Sequence, residues 1–426
     1  MREATLANFF RPTFRKPYRG WVIVAVGFLV AFSTGPGQSF GVSSFIDPII
    51  EDTGISRTTI SILFAISTGF SAAMAAAVSR MSDRYGPKRM LVIIACALGV
   101  ACFGMALSSG FVGFFFALAA LRALGQGSMF INSTLLVAQW FVAKRGRAVA
   151  VMSLGFSASN AVIPPLSRAL IESIGWRETY AALGVMVWLI VIPATLLLVR
   201  NTPEEVGLHP DGADKPPEGE GDLSEVATGP DRRKILSSPA FWKLALPLSV
   251  PAFVVTGMIF HQTSILEERG LSATVAASVF VPFALSSACG AAVGGYLIDR
   301  IGPVRLFALA MSLMTTALAT VFFISSPVSA GVYTAILGLS NGMAFVIMGV
   351  IWAQFYGRHR LGRVQGSAVM IMISAAAIGP LPLAALEAAF DSFQPAIIIM
   401  TAAPVVAMAV ITLAKPKAEV FAQTTS

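Results

Sequence analysis

Arg122 is the one charged residue near the middle of a long apolar run in this sequence of 426 residues. A guanidinium offers five N–H donors in a rigid fork, so its chemistry is to hold an anion by charge-assisted hydrogen bonds. Carboxylates that could neutralise it are missing at that depth, because Asp47, Glu172 and Glu387 all fall near the ends of runs. Two readings stay open: Arg122 binds or couples to an anion, or it is a buried hydrogen bonder satisfied by backbone carbonyls freed near Gly125, Gly127 or the segment "STGPGQSFG". Around it, Gln126 falls about one helical turn away on the same face, while Gln38 and Ser39 follow directly on Gly35, Pro36 and Gly37. His261, next to Gln262, carries an imidazole that titrates near neutral pH. It could carry a proton, meet an anion, or pair with Gln262 or Glu267 at an interface.

The elements that must position these residues are set by composition. With 56% hydrophobic and only 12% charged residues and a mean hydropathy of +0.76, the chain is built for lipid. Apolar runs of membrane-spanning length fall at 20–46, 58–79, 87–108, 111–138, 147–171, 178–199, 241–264, 272–297, 303–325, 328–355, 363–386 and 393–414. Twelve helices are thus expected, in an all-α integral membrane fold. Counting about 1.5 Å per residue from Phe111 puts Arg122 roughly 16 Å deep, near the midplane, where a charge is costly and usually functional.

Residues 200–238 form the one long polar stretch, rich in Pro, Gly and acids, and are expected to be a mostly disordered cytoplasmic linker between bundles at 1–199 and 239–426. Of the 30 Lys and Arg residues, only Arg57, Arg168, Arg177 and Arg269 fall in the loops on one side. That bias places both termini in the cytoplasm and accounts for the net charge of +8 without nucleic acid. The first twenty residues lack the uninterrupted apolar core of a cleaved signal peptide. Cys96, Cys102 and Cys289 all fall inside spans and read as packing residues.

The two bundles are copies of each other. Asp83, Arg84, Gly86, Pro87 and Arg89 recur as Asp299, Arg300, Gly302, Pro303 and Arg305, each displaced by 216 residues. Within one residue, the same offset relates Gly54 to Gly270, Gln139 to Gln354 and Pro164 to Pro380, and it makes Asn341 the mate of Gln126. Pro251 falls within one residue of the mate of Pro36, so helices 1 and 7 are both expected to break near mid-depth. Gly35, Pro36 and Gly37 superficially match a dinucleotide fingerprint with Gly41, but the strand and soluble helix it needs are missing. If the chain re-enters a helix after Gly37, free N–H groups beside Gln38 and Ser39 would face a cavity with partial positive charge, the alternative being a plain packing kink.

The doubled loop pattern G-x-x-x-D-R-x-G after helices 2 and 8, with Ser79 replacing the first Gly, the helix 4 Arg followed by "GQG", and "GWR" between helices 5 and 6 resemble the major facilitator superfamily over the whole chain. Within it, "WFVAKRGRAVAVMSLG" and "NTPEEVGLHPDG" resemble the monocarboxylate porters and oxalate/formate exchangers. Those relatives carry an Arg in helix 8, and the oxalate exchangers a Lys in helix 11, which 272–297 and 363–386 lack apart from Arg363 at the entrance. The resemblance implies two pseudo-symmetric six-helix bundles rocking about a central site. It also implies that Asp83, Arg84, Gly86, Arg89, Asp299, Arg300, Gly302 and Arg305 form an inside gate, the plainer alternative being a staple between helix ends. Helix breaks matched in two halves, at Gly35, Pro36, Gly37 and Pro251, point to a binding site.

The resulting expectation is a secondary active transporter of a small organic anion, a monocarboxylate above all, in a bacterial inner membrane. Substrate contacts are expected from Arg122, Gln38, Ser39, Gln126, His261, Gln262 and Asn341. A proton is a further expected partner, carried by His261 or by the acid itself in symport, alongside the lipid bilayer. A monomer is expected, with no cofactor, no metal and no nucleic acid. The alternatives are an exporter of a hydrophobic drug or metabolite, which the missing embedded carboxylate disfavours, and a non-transporting sensor. Enzyme chemistry has no support, since there is no H-E-x-x-H, no P-loop and no embedded acid pair.

Overall fold

The computed structural model describes residues 18–142, 144–212, 236–356 and 361–414, and every regular element among them is helical. In the first half these are α1 (Gly20–Phe32), α2 (Ser39–Ser43), α3 (Ile46–Thr53), α4 (Arg57–Tyr85), α5 (Pro87–Ala106), α6 (Gly110–Leu121), α7 (Phe130–Trp140), α8 (Arg145–Ile174) and α9 (Trp176–Leu198). The second half comprises α10 (Pro239–Phe260), α11 (Gln262–Glu268), α12 (Ala273–Ser278), α13 (Phe280–Ile301), α14 (Pro303–Thr320), α15 (Pro327–Tyr356), α16 (Leu361–Ile378), α17 (Pro380–Phe390) and α18 (Gln394–Ala414). Eleven helices of the described residues are long and apolar enough to cross a membrane. The remaining expected span, 58–79, lies in α4, a helix of 29 residues. Together they make a twelve-helix arrangement, in which helices pair backbone polar groups internally as lipid demands.

Each half packs mainly on itself: α1 on α8 and α5 on α9 in the first, α13 on α15, α14 on α15 and α10 on α16 in the second. The halves meet where α4 contacts α16 and α17, α8 contacts α12 and α13, and α2 contacts α10. Large apolar side chains such as Leu107, Phe116, Leu189, Phe323 and Val328 are exposed on the outside, as a lipid-facing surface requires.

The sequence repeat is visible in backbone detail. Gly54 (φ 69°) and Gly270 (φ 79°) end matching short helices, after which Ser56 and Ser272 cap the next ones by accepting from Thr59 N and Val275 N. At the opposite end Gly86 (φ 82°) and Gly302 (φ 79°) each turn the chain into a helix that begins with Pro. These positive φ values favour residues without a Cβ, which explains why both loop motifs keep their Gly.

Helix 1 is interrupted where expected, by the 3₁₀ turn Gly35–Gly37, with Gln38 extended at φ −92°, ψ 159°. Helix 7 is not interrupted at Pro251. That residue lies inside α10, which runs on through Pro247 and Pro251 to Phe260. The two prolines remove hydrogen bonds but keep φ helical, and neighbours α16 and α18 hold the segment straight enough to continue. The irregularity of helix 7 comes at His261 (φ −96°, ψ 13°), and its mate 216 residues earlier is Phe45 (φ −100°, ψ −13°), a second irregularity of helix 1.

The linker also differs from expectation. Its beginning is docked on the first bundle: Asp211 accepts from Val142 N and Lys144 N, Asn201 Oδ1 accepts from Lys88 N, and Tyr18 donates to the carbonyls of Trp140 and His209. The Pro and acid content that reads as disorder here supplies short turns and capping carboxylates. Residues 213–235 lie outside the described ones.

Candidate functional site

Arg122 is fully buried and stands at the start of a π-helical turn, Arg122–Met129, inserted between α6 and α7. Gly125 and Gly127 weaken the α-helix here, and the wider turn leaves the Arg122 carbonyl to accept from Ser71 Oγ at 3.1 Å. Such turns inside a helix are frequent at functional sites.

Three groups fix the guanidinium. Its Nε donates to Thr68 Oγ1 at 3.1 Å, and its Nη1 donates to the Gly37 carbonyl at 2.9 Å. The Phe64 ring lies 4.2 Å from its central carbon, within range of a cation–π contact. Nη2 is buried and has no hydrogen-bond partner. A buried cation with a free donor and no carboxylate in contact among the described residues is equipped to take an anion.

The break in helix 1 is what lets this happen. A Cβ on Gly37 would come within 2.2 Å of the Leu121 carbonyl oxygen, and one on Gly125 within 2.9 Å of the Gly37 Cα. The two glycines therefore permit backbone-to-backbone contact between helices 1 and 4, which carries the Gly37 carbonyl to Arg122. The group offered to Arg122 is the Gly37 carbonyl. Gly37 N donates to Thr34 O and Gln38 N to Gly35 O within the turn, and the helix then restarts at Ser39.

Of the other expected contacts, Gln126 is half-buried with a buried Oε1 that lacks a partner, Gln38 is buried and Ser39 is half-buried. Asn341 instead donates from Nδ2 to Ser287 Oγ at 3.2 Å, joining α15 to α13. His261 and Gln262 belong to a different level, at the end of the molecule that carries Asp47 and Glu387. There His261 Nε2 lies 3.1 Å from the Pro380 carbonyl and 3.4 Å from Ser61 Oγ, and Tyr333 donates to Gln262 Oε1 at 3.3 Å. Both side chains are buried; the partners of His261 Nε2 are Pro380 and Ser61 and not Gln262 or Glu267, while His261 Nδ1 and Gln262 Nε2 have no hydrogen-bond partner.

That end joins the two halves. Arg57 donates from Nη2 to Asp47 at 2.5 Å and from Nη1 to Ser264 Oγ at 2.6 Å, and its Nε is 3.6 Å from Glu387. Thr274 donates to Glu172, and Thr58 to the Ala384 carbonyl. Phe64 and Phe260 pack across the interface with ring centroids 4.3 Å apart and their planes tilted by 51°. Sequence reasoning missed Thr68, Phe64, Phe260 and this Arg57 cluster. Their signal was the spacing of 57, 61, 64 and 68 on one face of α4.

At the opposite end, Arg84, Arg89, Asp299, Arg300 and Arg305 are exposed. Arg84 and Arg300 lie against Tyr85 and Tyr296, and among the described residues none of the five makes an ion pair. The Asp83 side chain lies outside the described ones.

Twelve helices in two repeated bundles around a buried cation define a membrane carrier, and comparison with known proteins says which kind. The family model of the Major Facilitator Superfamily matches residues 23–380, and the chain belongs to that family. A probable sulfoacetate transporter of Cupriavidus necator is 29% identical over 144 residues, a third of each chain. A gallate transporter of Pseudomonas putida is 26% identical over 69% of each chain, and a multidrug resistance protein of Escherichia coli is 26% identical over 74% of this chain and 76% of its own. The chain thus spans only about a third of the first of these relatives and more than two thirds of the other two. The fold is shared with the crystal structure of a bacterial homologue of the human lysosomal transporter Spinster, with a TM-score of 0.75 at 16% identity over 94% of this chain and 97% of that one. The protein is a major facilitator transporter and not an enzyme.

Proposed function

We propose that this transporter moves a small organic anion, a monocarboxylate in the first instance, by alternating access. The observation that carries the reading is Arg122: a fully buried cation beside a broken helix, held by Thr68, Gly37 and Phe64 with one nitrogen left free. Two relatives bear the names of organic anions, sulfoacetate and gallate, which supports an acid as cargo. In this reading the termini are cytoplasmic and Gln38, Ser39 and Gln126 complete the site. The loop residues Asp83, Arg84, Gly86, Arg89, Asp299, Arg300, Gly302 and Arg305 close the inside when the outside opens. A proton accompanying the acid would be carried by His261, whose Nδ1 has no hydrogen-bond partner, or by the acid itself. The transporter works as a monomer in a bacterial inner membrane.

Uptake of a panel of labelled carboxylates and sulfonates into proteoliposomes tests the proposal. One or more acids should be transported, and Arg122→Gln should abolish that transport while the protein still inserts. Transport of every acid undiminished by Arg122→Gln would remove Arg122 from the site. A second reading, export of a hydrophobic compound, draws on the multidrug relative and on the apolar Phe64 and Phe260 beside Arg122. Drug resistance on overexpression that survives Arg122→Gln would favour it.

A further inference from the structure

Four residues of α4 follow one another at helical spacing, and each touches a different layer of the molecule. Arg57 joins Asp47, Ser264 and Glu387 at the surface, and Ser61 lies against His261. Phe64 packs on Phe260, and Thr68 accepts from Arg122. Steps of four, three and four residues keep all of them on one face of the helix. From Arg57 to Thr68 the face descends about 16 Å at 1.5 Å per residue, which is half a bilayer. Its upper three layers pair with the second half, while the lowest holds Arg122.

Phe64 is the hinge of this arrangement. One side of its ring faces the guanidinium of Arg122 at 4.2 Å, and the ring also packs on Phe260 of the other half at 4.3 Å between centroids. All three side chains are completely buried. The contact between Phe64 and Arg122 lies within the first half and can persist when the halves part. The contact between Phe64 and Phe260 cannot. Separation at this end therefore removes Phe260 from the Phe64 ring and opens the path along the α4 face.

We propose that the Phe64–Phe260 pair is the innermost plug separating Arg122 from the side of the membrane that carries Asp47 and Glu387. The Arg57 cluster and the Ser61–His261 contact lie above the plug as outer layers. Nothing in this depends on which compound is carried. Its failure would leave the anion reading standing, and the reverse also holds.

The test reads access to a thiol at the depth of Arg122. Ser67 is fully buried beside Thr68. Ser67→Cys is made in a chain whose Cys96, Cys102 and Cys289 are replaced by Ser, reconstituted in liposomes, and exposed to a membrane-impermeant maleimide on the Asp47/Glu387 side. Phe260→Ala should accelerate labelling of that thiol tenfold or more, and Phe260→Tyr should restore protection. Phe260→Leu, a milder change, should give an intermediate rate and serves if the alanine variant does not fold. The Phe103→Ala substitution breaks a different aromatic contact, with Trp188 inside the first half, and should leave the rate unchanged. Equal labelling with and without Phe260, or the same acceleration from Phe103→Ala, would overturn the proposal.

Discussion

Arg122 donates from Nη1 to the carbonyl oxygen of Gly37 across 2.9 Å, and this bond joins a fully buried cation to the break in helix 1. Each partner is costly in lipid when alone, because an unpaired carbonyl and an unpaired charge both forgo water. Paired, the break in helix 1 supplies the acceptor that the cation needs. The cation in turn satisfies a carbonyl that a continuous helix would have used, so the broken helix and the charged residue require each other.

Replacing Arg122 by Lys separates charge from geometry. A lysine ammonium is a point donor and cannot reproduce the fork that reaches Thr68 and Gly37 while stacking on Phe64. Transport by Arg122→Lys should fall at least tenfold with little change in the amount of inserted protein. Arg122→Leu should also lower stability, by about 1–3 kcal/mol for the carbonyl left unpaired. Uptake normalised to protein in the membrane, with thermal unfolding in detergent, reads both, and full uptake by the lysine variant would contradict the argument.

The glycine contact makes a separate prediction. The Cβ of Gly37→Ala would meet the Leu121 carbonyl oxygen at 2.2 Å, a backbone atom that cannot rotate away. Helices 1 and 4 must then move apart, at a cost of about 1–3 kcal/mol by the usual penalty for overpacking. Gly69→Ala and Gly104→Ala, whose added methyls meet nothing within 4 Å, should be neutral or slightly stabilising. A series of unfolding midpoints ranking Gly37→Ala with those two would show that the close approach is unimportant.

How much of this was legible in the sequence depends on the range of the interaction. The spans, the repeat and the break at Gly35, Pro36 and Gly37 are local patterns, and Arg122 stood out because charge is rare in lipid. The 216-residue offset also carried backbone detail, down to matching left-handed glycines at 54 and 270 and at 86 and 302. It failed at Pro251, because proline alone does not end a helix that its neighbours hold, and the irregularity moved to His261. The partners of Arg122 were hidden for another reason. Thr68 and Phe64 are 54 and 58 residues away, and their side-chain types are ordinary in a membrane helix.

The start of the linker, read from composition as unstructured, should behave as part of the first bundle. Asp211 holds an αL backbone conformation (φ 60°) while its carboxylate accepts from Val142 N and Lys144 N. Asp211→Ala loses both bonds and should release the segment. Limited proteolysis should leave 199–212 intact in the native protein, and in Asp211→Ala cleavage should appear within 199–212. Equal cleavage of 199–212 in both proteins would show that the docking is too weak to matter.

Protonation of Glu267 should tighten the closure on the Asp47/Glu387 side. Asp47, Arg57, Ser264, Glu267, Glu268, Glu387, Asp391, Ser392 and Phe393 line a cavity of about 210 Å³, in which carboxylates outnumber the single cation. Burial, and next the negative charge of Asp47, raises the pKa of Glu267 above the ordinary carboxylate value, with Glu51 adding to the rise and Arg168 and Arg57 opposing it. A raised pKa means the closed form binds the proton more tightly than a form in which Glu267 is solvated. Its contribution to closure is thus complete below the ordinary glutamate range and is lost as pH rises through the raised value. Asp52 is held low by Arg177 within the first half, whereas Glu172 is held low by Arg168 and by Thr274 of the other half and works in the opposite sense, so the share of Glu267 is read as the difference from Glu267→Gln. Distances between spin labels on α3 and α17, measured from neutral to mildly acidic pH, should therefore carry a Glu267-dependent shift toward the short population on acidification. Glu267→Gln should flatten that dependence at the closed end. A pH response unchanged by Glu267→Gln, or closure that weakens as the proton binds, would show that another group controls this end of the transporter.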